Sequence, residues 1–306
     1  MTAQGEKRVL SIQSSVVFGY VGNKSATFPL QLHGYDVSTI NSVQFSNHTG
    51  YGKWKGQVLN AEEAHDLFQG LRINNLLDFT HVLTGYIGSE SFLKKVGEVV
   101  KELKSKNPNL IYVCDPVMGD DGKLQYVSEA LVPVYRTQIL EQADIITPNQ
   151  FELEQLTELP VETEEQAFIA MNKLHDRGVG IVVLSSSNLG VNSNMLCLAS
   201  IRQEKVSKRY RLQIPVVNAK FVGTGDLFAA SLLTWMDKEK DLKPALEKTV
   251  SVVQHVIKKT YERALKLAAP EETPTAAQME LQLISSKENI ENPTVLFLAE
   301  EIEYKV

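Results

Sequence analysis

The sequence predicts an α/β protein with a doubly wound, mainly parallel central sheet flanked by helices. Three observations carry that expectation. Short apolar runs recur along the 306 residues, and several are continuous rather than alternating. Continuous runs suit strands buried on both faces, as in a parallel sheet. Helical periods separate them, giving a strand–helix–strand repeat. Polar residues also collect where these strands end, which is where open α/β sheets bind ligands.

The strands are expected at Val9–Gln13, Asp36–Asn41, His81–Gly85, Leu110–Cys114, Ile145–Thr147 and Ile181–Ser185. Helical spacing falls on Ala61–Asn74, Glu90–Lys106 and Thr163–Arg177. After Ser187 the pattern changes. Met195–Ser200 and Tyr210–Val216 read as an antiparallel pair of strands. Between them lies a basic segment, Arg202 to Arg209, which suits a solvated hairpin tip or a position over phosphates equally well. Two helices follow, Asp226–Asp237 and Pro244–Leu267, and Pro244 suits a first helical turn. Ala268–Thr275 is a polar connector, and Thr294–Leu298 is a short β-like run able to add an edge strand. No repeat and no linker divides the chain, so one domain over 1–306 is expected.

Composition narrows the function. Apolar residues make up 43% and charged residues 22%, enough for a substantial core. The net charge is −6, with no basic run of useful length, which argues against nucleic acid or an anionic membrane as partner. Cys114 and Cys197 both fall in strand-like apolar runs and read as buried reduced thiols. The polar start, Met1 to Lys7, has no signal-peptide core, and no apolar stretch approaches membrane length. A cytosolic location is the expectation.

The run Phe221-Val222-Gly223-Thr224-Gly225-Asp226-Leu227-Phe228-Ala229-Ala230 is the most informative stretch. Two glycines bracket a threonine, and an apolar run of helix formers follows. Glycine permits a tight turn with close backbone approach. A helix start just behind the turn presents free N–H groups and the positive end of its dipole to an anion. A carboxylate at Asp226 opposes that anion unless it accepts the proton of an attacking hydroxyl. From the decapeptide alone, Asp226 as a plain helix N-cap is an equal alternative. The chain has no Walker loop and no strand-linked G-x-G-x-x-G.

Further motifs are Val9-Leu10-Ser11-Ile12-Gln13-Ser14 leading to Gly19-Tyr20-Val21-Gly22-Asn23, then Asn41 to Tyr51 and Leu83-Thr84-Gly85-Tyr86. Cys114-Asp115-Pro116-Val117-Met118-Gly119-Asp120 and Ile145-Ile146-Thr147-Pro148-Asn149-Gln150-Phe151-Glu152 follow. With Gly223-Thr224-Gly225-Asp226, these resemble the pyridoxal kinase family of the ribokinase-like superfamily, from Val9 to about Pro293. Asn41 to Tyr51 is specific to that branch. The glycine turn and Asn149-x-x-Glu152 are shared more widely.

The resemblance implies ATP-dependent phosphorylation of the 5′-hydroxymethyl group of pyridoxal, pyridoxine and pyridoxamine. Asp226 is then the general base, and the amides of Gly223, Thr224 and Gly225 hold the transferring phosphoryl group. Ser14, Thr49, Tyr86 and Asp226 match substrate contacts. Val21, Val43, Phe45, Trp54 and Phe221 match their apolar surroundings. Asn149, Ser185, Ser186, Val217, Asn218, Ala219, Phe221 and Thr224 match the nucleotide side, with Asp115 and Asp120 beside the phosphates.

Magnesium takes hard oxygen ligands, and Asp115, Asp120, Asn149 and Glu152 offer them. By resemblance, Asp115, Thr147 and Ser185 match a site for K⁺ or Na⁺. Ser185 stands where threonine is usual and keeps the hydroxyl. Ser15 replaces a frequent histidine, and the loops after Asp120 and from Asn188 to Asn194 are shorter than in the animal enzymes. His48 fits a structural histidine packing its loop as well as a catalytic one. A homodimer is implied. The rivals are a hydroxymethylpyrimidine kinase, which Asn41 to Tyr51 argues against, and a non-catalytic vitamin-binding regulator, which an intact Asp226 turn argues against.

Overall fold

The computed structural model describes residues 6–120, 127–203 and 206–303. Ten strands form one sheet: β1 (Arg8–Val16), β2 (Asp36–Phe45), β3 (Gly56–Val58), β4 (His81–Thr84), β5 (Ile111–Cys114), β6 (Ile145–Ile146), β7 (Ile181–Leu184), β8 (Asn194–Gln203), β9 (Val206–Pro215) and β10 (Glu300–Glu301). Their order is β10-β9-β8-β7-β6-β5-β4-β1-β2-β3. The six strands from β7 to β2 are mutually parallel, and the strands outside them pair antiparallel. The doubly wound, mainly parallel sheet is therefore as expected.

The helices are α1 (Asn23–Leu32), α2 (Ala61–Ile73), α3 (Glu90–Lys106), α4 (Leu131–Val134), α5 (Gln150–Thr157), α6 (Glu164–His175), α7 (Thr224–Glu239), α8 (Leu242–Leu267) and α9 (Lys287–Glu291). Local sequence explains their starts. Asn60 and Glu63 form a reciprocal capping box at α2, and the side chains of Ser89, Thr163 and Asp241 cap α3, α6 and α8.

The strands alternate between two cores, as a period of two requires. Leu10, Val82, Tyr112, Cys114, Ile146 and Val182 face the core built with α2, α3, α5 and α6. Val9, Leu83, Val113, Ile145, Ile181 and Val183 face the core built with α7 and α8.

Three expectations need correction. β1 runs to Val16, so Ser14 lies inside the strand, at a register shift between Gln13 and Ser15. Such irregularities re-aim side chains near active sites. β2 likewise extends to Phe45, taking in half of the segment Asn41 to Tyr51. Thr294–Leu298 is not a strand. The Leu296 amide donates to Ser251 Oγ and the Ala299 amide to Glu247 Oε1, so this segment lies along α8. The edge strand is Glu300–Glu301 instead, pairing with β9. α1 is not among the expected helices; it carries Pro29 in its interior, a residue that obscures a helical signal.

The basic segment is mostly strand rather than hairpin tip, with Arg202 paired to Ser207 and Arg209 to Ser200 across β8 and β9, and it turns toward α6. Arg202 Nη1 pairs with Asp176 at 2.5 Å, and the Arg209 guanidinium lies over the Phe168 ring. Residues 204 and 205 lie outside the described residues. Cys114 and Cys197 are both buried and free, and burial pushes the Cys114 thiol up to about 12. Among the described residues, no helix is long and apolar enough to cross a membrane.

Candidate active site

The order β4-β1-β2 reverses the winding at β1, which places a crevice beyond the carboxyl ends of the parallel strands. α7 begins above that crevice. Gly223 precedes its first residue with φ +87°, and no side chain caps the helix. A Cβ on Gly223 would stand 2.1 Å from Tyr20 O, so only glycine fits. The buried Ser25 hydroxyl donates to Gly223 O at 3.0 Å and holds the turn from behind. The turn thus leaves the first helical amides uncapped, as an anion site requires.

Asp226 is in the first turn of α7 and is not its N-cap. Its Oδ2 instead accepts the Gly22 amide at 2.7 Å, across 204 residues of sequence. Burial pushes its carboxyl up to about 6, opposed by the Gly22 hydrogen bond. The geometry therefore removes the capping alternative and leaves a carboxylate poised to titrate near neutrality, as a general base should. Gly22 itself starts α1 with φ +53°, and a Cβ there would lie 2.0 Å from Ser14 O. Ser14, Gly22 and Asp226 are thereby brought into one neighbourhood.

Asp115 follows β5 directly, and a Cβ on Gly225 would stand 3.5 Å from its Oδ2. Burial raises the Asp115 carboxyl well above the usual range, and the nearby charges of Glu152 and then Asp226 raise it further. The Thr147 hydroxyl is close enough to favour the Asp115 carboxylate, yet it lies outside hydrogen-bond geometry and is a buried oxygen without a partner. Glu152 closes the other side. Its Oε1 accepts Met118 N and its Oε2 accepts Asn149 N, both at 2.9 Å, while Asn149 Oδ1 accepts Glu152 N at 2.8 Å. Asn149 and Glu152 thus form the capping box of α5. Burial nevertheless lifts Glu152 to about 8, against those backbone hydrogen bonds.

Three carboxyls crowd this place, and the charges of Glu152 and Asp226 both raise Asp115. Cations relieve such an arrangement. The donor set suits hard cations: carboxylate oxygens and an orphaned hydroxyl. Among the described residues, no three His, Cys, Asp or Glu side chains are close enough to enclose a metal. A divalent ion here would draw only part of its oxygen shell from these side chains. Asp120 is exposed at the margin of the site, and 121–126 lie outside the described residues.

The sheet order separates two flanks. β4, β1 and β2 carry the expected vitamin side. Val43 is buried in β2, Phe45 ends the strand, and Trp54 sits 6.4 Å from the Phe45 ring on the exposed β2–β3 connection. Trp54 also lines an open recess with Ser46, Gly52, Lys53 and Lys55. Tyr86 is half-buried after β4, its phenol pushed up by burial, and its carbonyl accepts Ser42 Oγ. Val21 is buried behind the Gly223 turn. Thr49 opens a short 3₁₀ turn whose next residue, Gly50, lies against Val222.

His48 accepts Gly50 N through Nδ1 and packs at a tilt against Tyr51 with centroids 4.7 Å apart, and burial lowers its pKa. It packs its own loop. On the other flank, the Ser185 amide and hydroxyl both donate to Pro148 O, and Ser186 is half-buried beside it. Val217, Asn218 and Ala219 form a tight turn closed by Ala219 N to Val217 O at 2.7 Å. Phe221 meets Tyr261 edge to face.

Two residues of this neighbourhood, Gly22 and Glu280, gain a role only in three dimensions. Gly22 had a signal, because glycines at 19 and 22 bracket a turn ahead of a polar helix start. Glu280 had none, since its partners are 229 and 260 residues away.

This fold and this turn define a phosphoryl-transferring enzyme of the ribokinase-like class. The family model described as phosphomethylpyrimidine kinase matches residues 31–269. Pyridoxal kinase of Sus scrofa is 50% identical, covering 96% of this chain and 95% of that protein. Pyridoxal kinase of Arabidopsis thaliana is 52% identical, covering 96% and 94%. The structure of pyridoxal kinase from Leishmania donovani in complex with ADP and pyridoxamine superposes with a TM-score of 0.90 at 38% identity, covering 97% of this chain and 100% of that one. The chain belongs to the pyridoxal kinase family.

Proposed function

We propose that this chain transfers the γ-phosphoryl group of ATP to the 5′-hydroxymethyl group of pyridoxal, pyridoxine and pyridoxamine. The observation that carries the reading is Asp226, set behind an uncapped glycine turn and poised by burial to take a proton. The vitamin lies over β1, β2 and β4, with its ring held by Ser14, Thr49 and Tyr86 between Val43, Phe45, Trp54 and Phe221. Asp226 takes the hydroxyl proton as the oxygen attacks, and the amides of Gly223, Thr224 and Gly225 hold the charge that develops. ATP lies toward Asn149, Ser185, Ser186 and Val217 to Ala219.

A magnesium ion fits Asp115 and Asp120 together with phosphate oxygens, Asn149 and Glu152 steadying that edge. A monovalent cation, K⁺ or Na⁺, fits Asp115, the orphaned Thr147 hydroxyl and Ser185. Both ions neutralise phosphate and carboxylate charge when bound. We take the chain to act as a single domain in a cytosolic homodimer.

Thr49 tests the substrate side. No hydrogen bond of its side chain is found among the described residues, and His48 braces the loop instead. The Thr49 hydroxyl is therefore available to a ligand. Thr49→Val is expected to lower kcat/KM for pyridoxal by roughly 5- to 150-fold, the cost of one unpaired polar partner, with KM for ATP and Tm unchanged. Unchanged pyridoxal kinetics would remove Thr49 from the pocket. Assaying hydroxymethylpyrimidine beside pyridoxal on the same preparation decides between this reading and the hydroxymethylpyrimidine kinase rival.

The cation reading has its own test. With magnesium supplied, the rate in a bulky organic-cation buffer should rise when potassium or sodium is added. Equal rates in both buffers would mean that Thr147 and Ser185 have no such role.

A further inference from the structure

Glu280 lies on the segment between α8 and α9, far along the chain from every motif above. We infer that Glu280 is a positioning residue for the reaction: it clamps two loops on the vitamin side and, through one of them, fixes Asp226.

The geometry is specific. Glu280 is only 7% exposed. Its Oε2 accepts the Tyr20 amide at 2.9 Å, and its Oε1 accepts the Tyr51 hydroxyl at 2.9 Å. His48 Nε2 stands 3.4 Å from the same Oε1. Because His48 Nδ1 accepts the Gly50 amide, a neutral ring carries its proton on Nε2, toward Glu280. One carboxylate therefore joins the 19–22 loop to the 48–51 turn.

The fit is close on both sides. Gly19 has φ +95°, and a Cβ there would stand 2.2 Å from Glu280 Oε1. Burial, and then Glu280, pushes the Tyr51 phenol well up, so it remains a donor. The backbone around Glu280 is anchored. Leu281 and Leu283 are fully buried, the Gln282 amide donates to Thr260 Oγ1, and the Gln282 side chain donates to Glu280 O.

Two residues beyond Tyr20, the Gly22 amide holds Asp226 Oδ2 at 2.7 Å, and Tyr20 O sits against Gly223. A displaced Tyr20 therefore moves both the base and the anion turn. The Tyr51 contact holds the turn that carries Thr49. Catalysis is sensitive to such placement, because small misalignments of reacting groups carry large rate penalties.

This inference rests on the vitamin-kinase reading, and the test separates the two. The variants are Glu280→Ala and Glu280→Gln, each made alone and in the Asp226→Asn background. kcat, KM for pyridoxal, KM for ATP and Tm are measured for each, with the wild type alongside. Glu280→Ala should lower kcat about 10- to 100-fold and raise KM for pyridoxal, with KM for ATP within about twofold. Glu280→Gln keeps an oxygen for one of the two donors and should lose about 3- to 10-fold.

In the Asp226→Asn background, either Glu280 change should cost distinctly less further kcat than in the wild type, because one of the two groups it positions, the base, is already gone and only the anion turn remains to be displaced. A full, independent loss in that background would overturn the inference, as would a kcat unchanged in both single variants. If Glu280→Ala does not fold, the Glu280→Gln cycle decides alone by the same criterion. An inactive wild type would count against the vitamin-kinase reading itself.

Discussion

Asp226→Asn should abolish most turnover while leaving ATP binding intact. The amide keeps the size of the side chain and an oxygen for the Gly22 amide, so the local geometry is preserved. It cannot accept the proton of an attacking hydroxyl. A positioned base contributes ~10²–10⁴-fold, and kcat should fall within that range. In the wild type, Asp226 is raised to about 6 by burial. Activity that depends on its carboxylate should therefore decline as pH falls through about 6, and the residual rate of the Asn variant should lack that limb.

Stability gives a second readout with the opposite sign. A carboxyl whose folded pKa exceeds its unfolded value binds more protons in the folded state, so its contribution to stability is lost as pH rises through the folded value. At neutral pH the ionised Asp226 weakens the fold, and Asp226→Asn should show an equal or higher Tm. Near-normal turnover in the variant would remove Asp226 from the chemistry.

Gly223→Ala should strike both fold and rate. At φ +87° the added methyl is strained, and it would also stand 2.1 Å from Tyr20 O. Tyr20 has little room to yield, since its amide is held by Glu280 and the Ser25 hydroxyl holds Gly223 from the other side. Backbone strain of this kind is of order 1–3 kcal/mol, which lowers Tm by roughly 2–10 °C in a chain of this size. Opening the turn also moves the amides proposed to hold the transferring phosphoryl group. Loss of one such donor lowers kcat by about 10²–10³-fold. A Tm and kcat both equal to wild type would mean that the turn does not adopt this conformation.

Much of the fold was legible because its signals are local. The apolar runs located all six parallel strands, and helical spacing located α2, α3 and α6. The Gly223-Thr224-Gly225-Asp226 turn announced itself by composition. What escaped has local causes too. Pro29 hid α1, and the three-residue β3 and two-residue β10 are too short to show a period. Thr294–Leu298 had strand composition, but the Leu296 amide and the adjoining Ala299 amide donate to side chains of α8 rather than to the sheet.

By itself, the sequence determined the doubly wound class, the strand ends where polar residues gather, and the identity of the turn and its aspartate. Only the tertiary structure decided what those residues do for one another. It showed that Asp226 bonds to Gly22 rather than capping α7, that Asp115, Glu152 and Asp226 share one field, and that Glu280 reaches back to Tyr20 and Tyr51. Periodicity and capping act over a few residues and leave a mark in the chain. A hydrogen bond spanning 204 or 260 residues leaves none, because it exists only once the sheet has brought its two ends together.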